Sequence, residues 1–369
     1  MTTLRLIADD LTGALDSAAQ FTGSLGSLPV LTSVAVAAVP GSFVLNLSCR
    51  DGAETAAIER ARAARTAFVG ADIAFKKIDS LLRGHWAPEL AATLETGLFD
   101  RVVLAPAFPA QGRFTHGGEQ FMRDRDGATK SVGRPGDILG AVMSGGHHAS
   151  DVDILVPDVS ADADLHAAVD IYRSTARTLW CGAAGLAQAI AATPAQRIET
   201  GSARHLVLIG SYHEATKRQM NRFVQETSMD SVRFGADGEA GAKRIMADLD
   251  AQGACVAVPD LPDAISPSEA AILIARSIEG LSRALPPPQR LTIVGGETFA
   301  SLCNHLNASV LSVEGECEPG VPASRITTGR WEGTLCFSKS GAFGDPDWLV
   351  RQTALARQTY QHSVMTKDR

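Results

Sequence analysis

The sequence predicts an α/β protein of two domains, each a largely parallel sheet flanked by helices. Three observations lead there. Apolar runs of strand length alternate with helical patterns along the chain, from "LRLIA" at residue 4 to "TLCFS" at 334. A polar link, "TPAQRIETGSARH" at 193–205, interrupts that alternation and separates domains 1–195 and 205–369. Finally, 369 residues with 45% apolar side chains suffice for two separate cores.

The elements follow in order. "LRLIA" runs into "DDLTG" and the helix "ALDSAAQFT", where Thr12 can act as the cap. "SVAVAAV" at 33–39 has the length of a strand. "SFVLNLS" ends at "CRDG" before a helix rich in alanine and arginine, "DIAFKKI" ends at "DSLLRG", and "RVVLAPAF" ends at "PAQGR". Residues 123–150 are polar, glycine-rich and poorly periodic, and read as an excursion or mobile loop. "VDILVPDVS" restores the pattern, and "LWCGAAGLAQAIAA" is a short strand entering a helix of small residues. Beyond the link, "HLVLIGS", "ACVAVPD", "RLTIVGGET" and "TLCFS" are the strands, and Pro286 to Pro288 mark a loop.

Several classes are excluded as expectations. The net charge of -7 comes without a basic stripe, so nucleic acid is not an expected partner. No run approaches the ~18 apolar residues of a membrane helix, so no membrane partner is expected either. Met1 leads into "LRLIADD" without a signal segment, and six cysteines are scattered with no C-x-x-C. The expectation is a reduced, cytoplasmic chain without zinc or disulfides. An anionic ligand must then be held by a local cluster of lysine and arginine.

Such a cluster stands at the strand ends. Asp9 and Asp10 sit where a strand meets a helix start, next to Gly13. Two carboxylates there could orient hydroxyls, accept a proton or hold a divalent cation, or Asp10 could simply cap the helix. A phosphohydrolase of the haloacid dehalogenase type needs D-x-D-x-T, and the acid/base carboxylate is missing, with Thr12 two positions after Asp10. In "KKIDSLLRG", alternation puts Lys76 and Lys77 on opposite faces, with Asp79 and Ser80 in the turn and Arg83 beyond. Lysine and arginine together suit a carboxylate or phosphate, and a solvated turn is the simpler alternative. Arg50 marks another strand end, and Arg113 and His116 project from a loop or surface hairpin. His116 lacks a second ligand nearby, and His147 and His148 read as a loop feature, so no metal ligands are assigned.

The second domain offers glycine rather than charge. Gly210 and Ser211 end one strand, Gly295, Gly296, Glu297 and Thr298 link a strand to a helix, and Ser338 to Gly344 form "SKSGAFG". Backbone N–H groups at such turns cradle phosphates. Neither G-x-x-x-x-G-K-[ST] nor G-x-G-x-x-G occurs.

In this order, "ADDLTGA", "KKIDSLLRG", "APAFPAQGR", "GS…T", "GGET" and "KSGAFG" resemble the four-carbon acid sugar kinase family over nearly the whole chain. The resemblance implies a sugar-acid domain followed by an ATP domain, with the active site in the interdomain cleft and Mg2+ bridging the phosphates. The reaction it implies is phosphorylation of the terminal hydroxyl of threonate, erythronate or a 3-oxo-tetronate. Carried over, Asp9, Asp10, Arg50, Lys76, Lys77, Asp79, Ser80 and Arg83 bind the sugar acid. Ser211, Gly295, Gly296, Glu297, Thr298, Ser340, Gly341, Ala342, Phe343 and Gly344 contact ATP. Asp10 and Asp79 both stand as candidates for the catalytic base. The sequence departs from the family pattern at Leu81, His85 and Ala342, which bears on the substrate. A homodimer is the candidate assembly. A sugar-phosphate phosphatase or lyase, or a sensor without catalysis, are the alternatives.

Overall fold

The computed structural model describes residues 2–32, 40–124, 127–133, 137–145, 152–173, 176–191, 193–200, 203–262, 264–355 and 357. The chain divides into two compact units, Met1–Gln196 and Arg197–Arg369.

The first unit runs β1 (Leu4–Ala8), α1 (Leu11–Gln20), the short α2 (Thr22–Leu25), β2 (Leu28–Leu31), β3 (Phe43–Asn46), α3 (Glu54–Ala64), β4 (Ile73–Lys77), α4 (Trp86–Leu94) and β5 (Arg101–Ala105). A side arm follows, with β6 (Arg113–His116), β7 (Glu119–Arg123), β8 (Thr129–Ser131) and α5 (Ile138–Ser144). The unit closes with β9 (Asp153–Leu155), α6 (Asp162–Tyr172), β10 (Thr178–Gly182) and α7 (Ala184–Ala191). Its parallel sheet has the order β2-β3-β1-β4-β10-β5-β9, which reverses direction at β1.

These strands are apolar on both sides because helices cover both faces. Ile7, Leu45 and Cys181 face α3, α4 and α5, whereas α1, α6 and α7 lie together on the other face. There Phe21 meets Phe75 edge-on at 6.4 Å.

Two expectations change in this unit. Helix α1 is capped by Asp10, not Thr12: Asp10 has extended backbone and its Oδ1 accepts the N–H of Gly13 at 2.8 Å. The described part of 123–150 carries β8, paired with β7, and α5, whose N-terminus is capped by Asp137. Polar composition hid both, because a β-arm and a capped surface helix need few apolar positions. The run 33–39 lies outside the described residues.

The second unit runs β11 (His205–Ile209), α8 (Glu214–Glu226), β12 (Val232–Phe234), α9 (Glu239–Gln252), β13 (Ala254–Pro259), α10 (Pro267–Ala284), β14 (Arg290–Val294), α11 (Gly296–Leu306), β15 (Val310–Glu318), β16 (Val321–Ile326) and β17 (Leu335–Lys339). The order is β12-β13-β11-β14-β17-β16-β15, parallel as far as β17 and antiparallel beyond it. Val207, Ile209, Val256 and Val294 pack against Phe223 of α8 and against Trp348 and Leu349. Helix α10 packs against both α9 and α11. Both units are thus α/β layers around a largely parallel sheet.

All six cysteines are free; five are buried and Cys317 is partly so. Among the described residues, no helix is long and apolar enough to cross a membrane.

Candidate functional site

In the first unit the chemistry gathers beyond the carboxyl ends of β1, β3 and β4, where the sheet order reverses. The backbone brings Arg50 there. The carbonyl of Asp9 accepts the N–H groups of Cys49 at 2.9 Å and Arg50 at 3.3 Å. Just before them Ser48 adopts φ 49, and the Asn46 side chain receives its N–H at 3.0 Å. Arg50 then donates to Asp9 from Nε and Nη2, each at 2.8 Å, and to Asp10 from Nη2 and Nη1, each at 2.6 Å. Its Nη1 also lies 3.9 Å from Asp79 Oδ1.

Asp79 belongs to a second clasp. Arg83 donates to it from Nε and Nη2, each at 2.8 Å, and Asp79 Oδ2 accepts the N–H of Leu81 at 3.1 Å. The side arm supports this turn, since Gln120 Nε2 donates to the carbonyl of Ser80 at 2.9 Å and is itself held by Thr115 Oγ1. Gly84, at φ +77, is needed because a Cβ there would lie 2.9 Å from Arg50 Cγ.

The three carboxylates differ in acidity. Burial alone would raise Asp9, but the charges of Arg50, Lys77 and Lys76 bring its carboxyl below the usual range. For Asp10 burial prevails over Arg50, and the charge of Asp9 adds to it, so its carboxyl is raised. Its side chain nevertheless keeps 20% exposure. Burial also opposes ionisation of Asp79, yet the Arg83 hydrogen bonds and the Arg50 charge hold it well below the usual range.

The two lysines separate as the alternation requires. Lys76 is fully enclosed on the α4 face, its Nζ 2.5 Å from Glu89 Oε2. Burial would lower its ammonium pKa, and Glu89 and Asp9 raise it instead. Lys77 stands at the cluster and Lys76 does not. Lys77 Nζ donates to the Ile78 carbonyl at 2.9 Å beside α1. A Cβ on Gly13 would come within 2.6 Å of Asp10 Oδ1 and 2.8 Å of Lys77 Nζ, so a side chain there would displace one of these groups.

Arg113 is buried on β6, donates to Gln111 Oε1 at 3.2 Å, and lies in the fields of Asp79 and Arg83. His116 is exposed at the tip of the β6–β7 hairpin beside Asp158. His147 and His148 lie outside the described residues. Among the described residues, no group of three or more His, Cys, Asp and Glu side chains is disposed to hold a metal ion.

In the second unit the glycine turns meet beyond β11, β14 and β17, around the point where that sheet order reverses. Gly210 N donates to Val294 O and Gly295 N to Lys339 O, both at 3.0 Å. The approach is close. A Cβ on Gly210 would fall 2.1 Å from Thr298 Oγ1, and one on Gly341 1.8 Å from Ser211 Oγ. Gly295 itself takes φ 121, and Gly296, Glu297 and Thr298 open α11. Ala342 N donates to Ser340 Oγ at 3.3 Å and Phe343 N to Ser340 O at 3.2 Å, which curls the loop before Gly344 at φ 86. Carbonyls of that loop are held from below. Thr216 Oγ1 donates to Gly341 O at 2.8 Å, and Gln219 Nε2 to Phe343 O at 3.0 Å and Asp345 O at 3.1 Å. These turns bring backbone of three strand ends together, one of them at the start of α11.

Glu89, Gln120, Thr216, Gln219 and Trp348 support these regions and were not singled out from the sequence. One signal was available for Glu89, an acid among apolar residues in "WAPELAATL". The others act across long stretches of chain.

Comparisons with known proteins match a separate family model in each unit. Residues 4–135 match the family model of the sugar-binding N-terminal domain, and residues 206–349 that of the nucleotide-binding C-terminal domain. A D-threonate kinase of Cupriavidus necator is 29% identical over 397 aligned positions, covering 92% of this chain and 94% of that protein. A D-threonate kinase of Bordetella bronchiseptica is 27% identical, covering 96% and 97%. The crystal structure of Haemophilus influenzae protein HI1011 matches with a TM-score of 0.66 at 19% identity, over 96% of this chain and 100% of that one. At such identity the likeness concerns the fold alone. With two domain models matched in sequence over more than half its length, and the ordered motifs within them, the chain belongs to the four-carbon acid sugar kinase family.

Proposed function

We propose that the protein is an ATP-dependent kinase that phosphorylates the terminal hydroxyl of a four-carbon acid sugar, with D-threonate the first substrate to test. One observation carries the proposal. The Asp9–Asp10–Arg50–Lys77–Asp79–Arg83 cluster falls within the sugar-binding match, and the Gly210, Gly295 and Gly341 turns fall within the nucleotide-binding match.

Phosphoryl transfer demands positioning and charge neutralisation more than covalent chemistry. ATP, when bound, supplies the phosphoryl group, and Mg2+ arriving with it neutralises phosphate charge. Ser211, Gly295 to Thr298 and Ser340 to Gly344 would hold the nucleotide, since they lie within the nucleotide-binding match and offer backbone N–H groups at glycine turns. Lys77, Arg83 and Arg50 bring positive charge to the sugar-acid carboxylate, Ser80 orients hydroxyls, and the enclosed Asp9 holds Arg50 in place. Asp10 accepts the proton of the reacting hydroxyl. Its raised pKa and partial exposure suit a base, whereas Asp79 is less exposed and held well below the usual range by Arg83.

The test is ADP release with Mg-ATP against D- and L-threonate, D- and L-erythronate and 3-oxo-tetronates. ADP formed together with a phosphorylated acid supports the kinase. Phosphate release from a tetronate phosphate without ATP would point to a phosphatase or lyase, and binding of both ligands without ADP to a sensor.

A further inference from the structure

Lys339 is the last residue of β17 and touches both glycine turns of the second unit. Its carbonyl accepts the N–H of Gly295 at 3.0 Å, and its ammonium donates to the carbonyl of Ser340 at 3.0 Å. The side chain is 1% exposed, its Nζ 4.8 Å from the centre of the Trp348 ring and its Cε 3.2 Å from where a Gly344 Cβ would stand. Among the described residues, no carboxylate lies within 4.0 Å of that ammonium. Glu318 acts on it only from farther away, and Glu318 itself accepts from Trp348 Nε1 and Gln352 Nε2. Asp345, near the same loop, is held by Arg351.

A buried ammonium without an ion-pair partner is costly. Burial accordingly pushes Lys339 down to about 8, with Glu318 opposing. Pinning loop carbonyls does not require a charge, because the neutral side chains of Thr216 and Gln219 already hold three of them. What a lysine adds is positive charge directly beneath a glycine loop, stabilised by an aromatic face. Such charge has an evident use where an anion settles on the loop.

We propose that Lys339 is the positioning residue of the Ser340–Gly344 loop and supplies buried positive charge to the phosphate chain of the nucleotide, an inference that rests on the kinase reading and deepens it. In the full-length protein, Lys339→Met removes charge and donor, and Lys339→Arg restores charge. Binding of inorganic tripolyphosphate and of adenosine is measured by calorimetry beside KM for ATP and for the sugar acid. Expected for Lys339→Met is a loss of about tenfold or more in tripolyphosphate affinity and a matching rise in KM for ATP. Adenosine binding and KM for the acid should stay put, with partial recovery in Lys339→Arg.

Unchanged tripolyphosphate affinity in folded Lys339→Met overturns the proposal, as does an equal loss of adenosine binding, which would mean general distortion. Should that variant not fold, hydrogen exchange of the wild type decides. Tripolyphosphate must slow the amides of residues 340–344, and no slowing overturns the proposal. Tripolyphosphate binding that depends on Lys339, in a protein that turns over none of the acids, would uphold the loop assignment and sink the kinase reading instead.

Discussion

Arg50 donates two parallel hydrogen bonds to Asp9, Nε to Oδ2 and Nη2 to Oδ1, both at 2.8 Å. Because Asp9 is fully enclosed, this fork is what lets its carboxylate stay charged. Arg50→Ala should cost on the order of 3–5 kcal/mol by leaving a buried charge without its partner. Arg50→Lys keeps the charge but cannot reproduce the fork, so it should also melt earlier and raise KM for the sugar acid by about tenfold. Thermal melts and steady-state kinetics check both.

Lys76 and Glu89 form a buried pair with no exposed surface. Lys76→Met alone should destabilise by about 3–5 kcal/mol, and the double variant Lys76→Met/Glu89→Leu should recover most of that loss. Urea denaturation gives the comparison. In the double variant KM for the acid should remain near that of the wild type. A large rise would return Lys76 to the substrate.

Two glycines offer a matched pair of perturbations. Gly13→Ala intrudes on Asp10 and Lys77, and Gly341→Ala on Ser211. The first should raise KM for the acid by about tenfold or more and leave KM for ATP alone; the second should do the reverse. If either variant shifted both constants equally, the two regions would not be separate binding sites.

Asp79 links stability to acidity. Its native carboxyl lies well below the ordinary value, so between the two the unfolded chain binds a proton that the folded one does not. Its contribution is complete above the ordinary aspartate value of about 4 and is lost as pH falls through the native one. The difference in melting temperature between wild type and Asp79→Asn should therefore be constant from pH 7 to about 5 and narrow on further acidification. A constant difference down to pH 2 would contradict the clasp with Arg83.

Much of the architecture was legible because β1, β4, β11 and β14 are continuous apolar runs ending in charge or glycine. The hairpin β15–β16 was not. Its run, "VLSVEGECE", keeps an alternation but puts glycine at the buried position 315 and three glutamates on the way, so it lacks the continuous apolar character of the parallel strands. At the candidate site, Asp9, Asp10, Arg50, Lys77, Asp79 and Arg83 could be found because each ends or follows a strand. The clasps among them could not, since Arg50 reaches back 41 residues to Asp9. Side chains that support rather than touch, such as Gln120 beneath Ser80 and Gln219 beneath Phe343, carry no local pattern at all.

The burial of the cysteines has a practical side. Burial pushes the thiols of Cys49, Cys181 and Cys303 up to about 12, and it does the same, with help from Glu318, for the partly open Cys317. Thiolate is therefore scarce at neutral pH, and maleimide reagents should leave the native chain largely untouched. A single cysteine introduced at the exposed Val69 in the first unit and another at the exposed Val224 in the second would then take a fluorophore pair on the otherwise native protein. Energy transfer between those dyes, followed while sugar acid and nucleotide are added, would report whether the distance between the two halves changes.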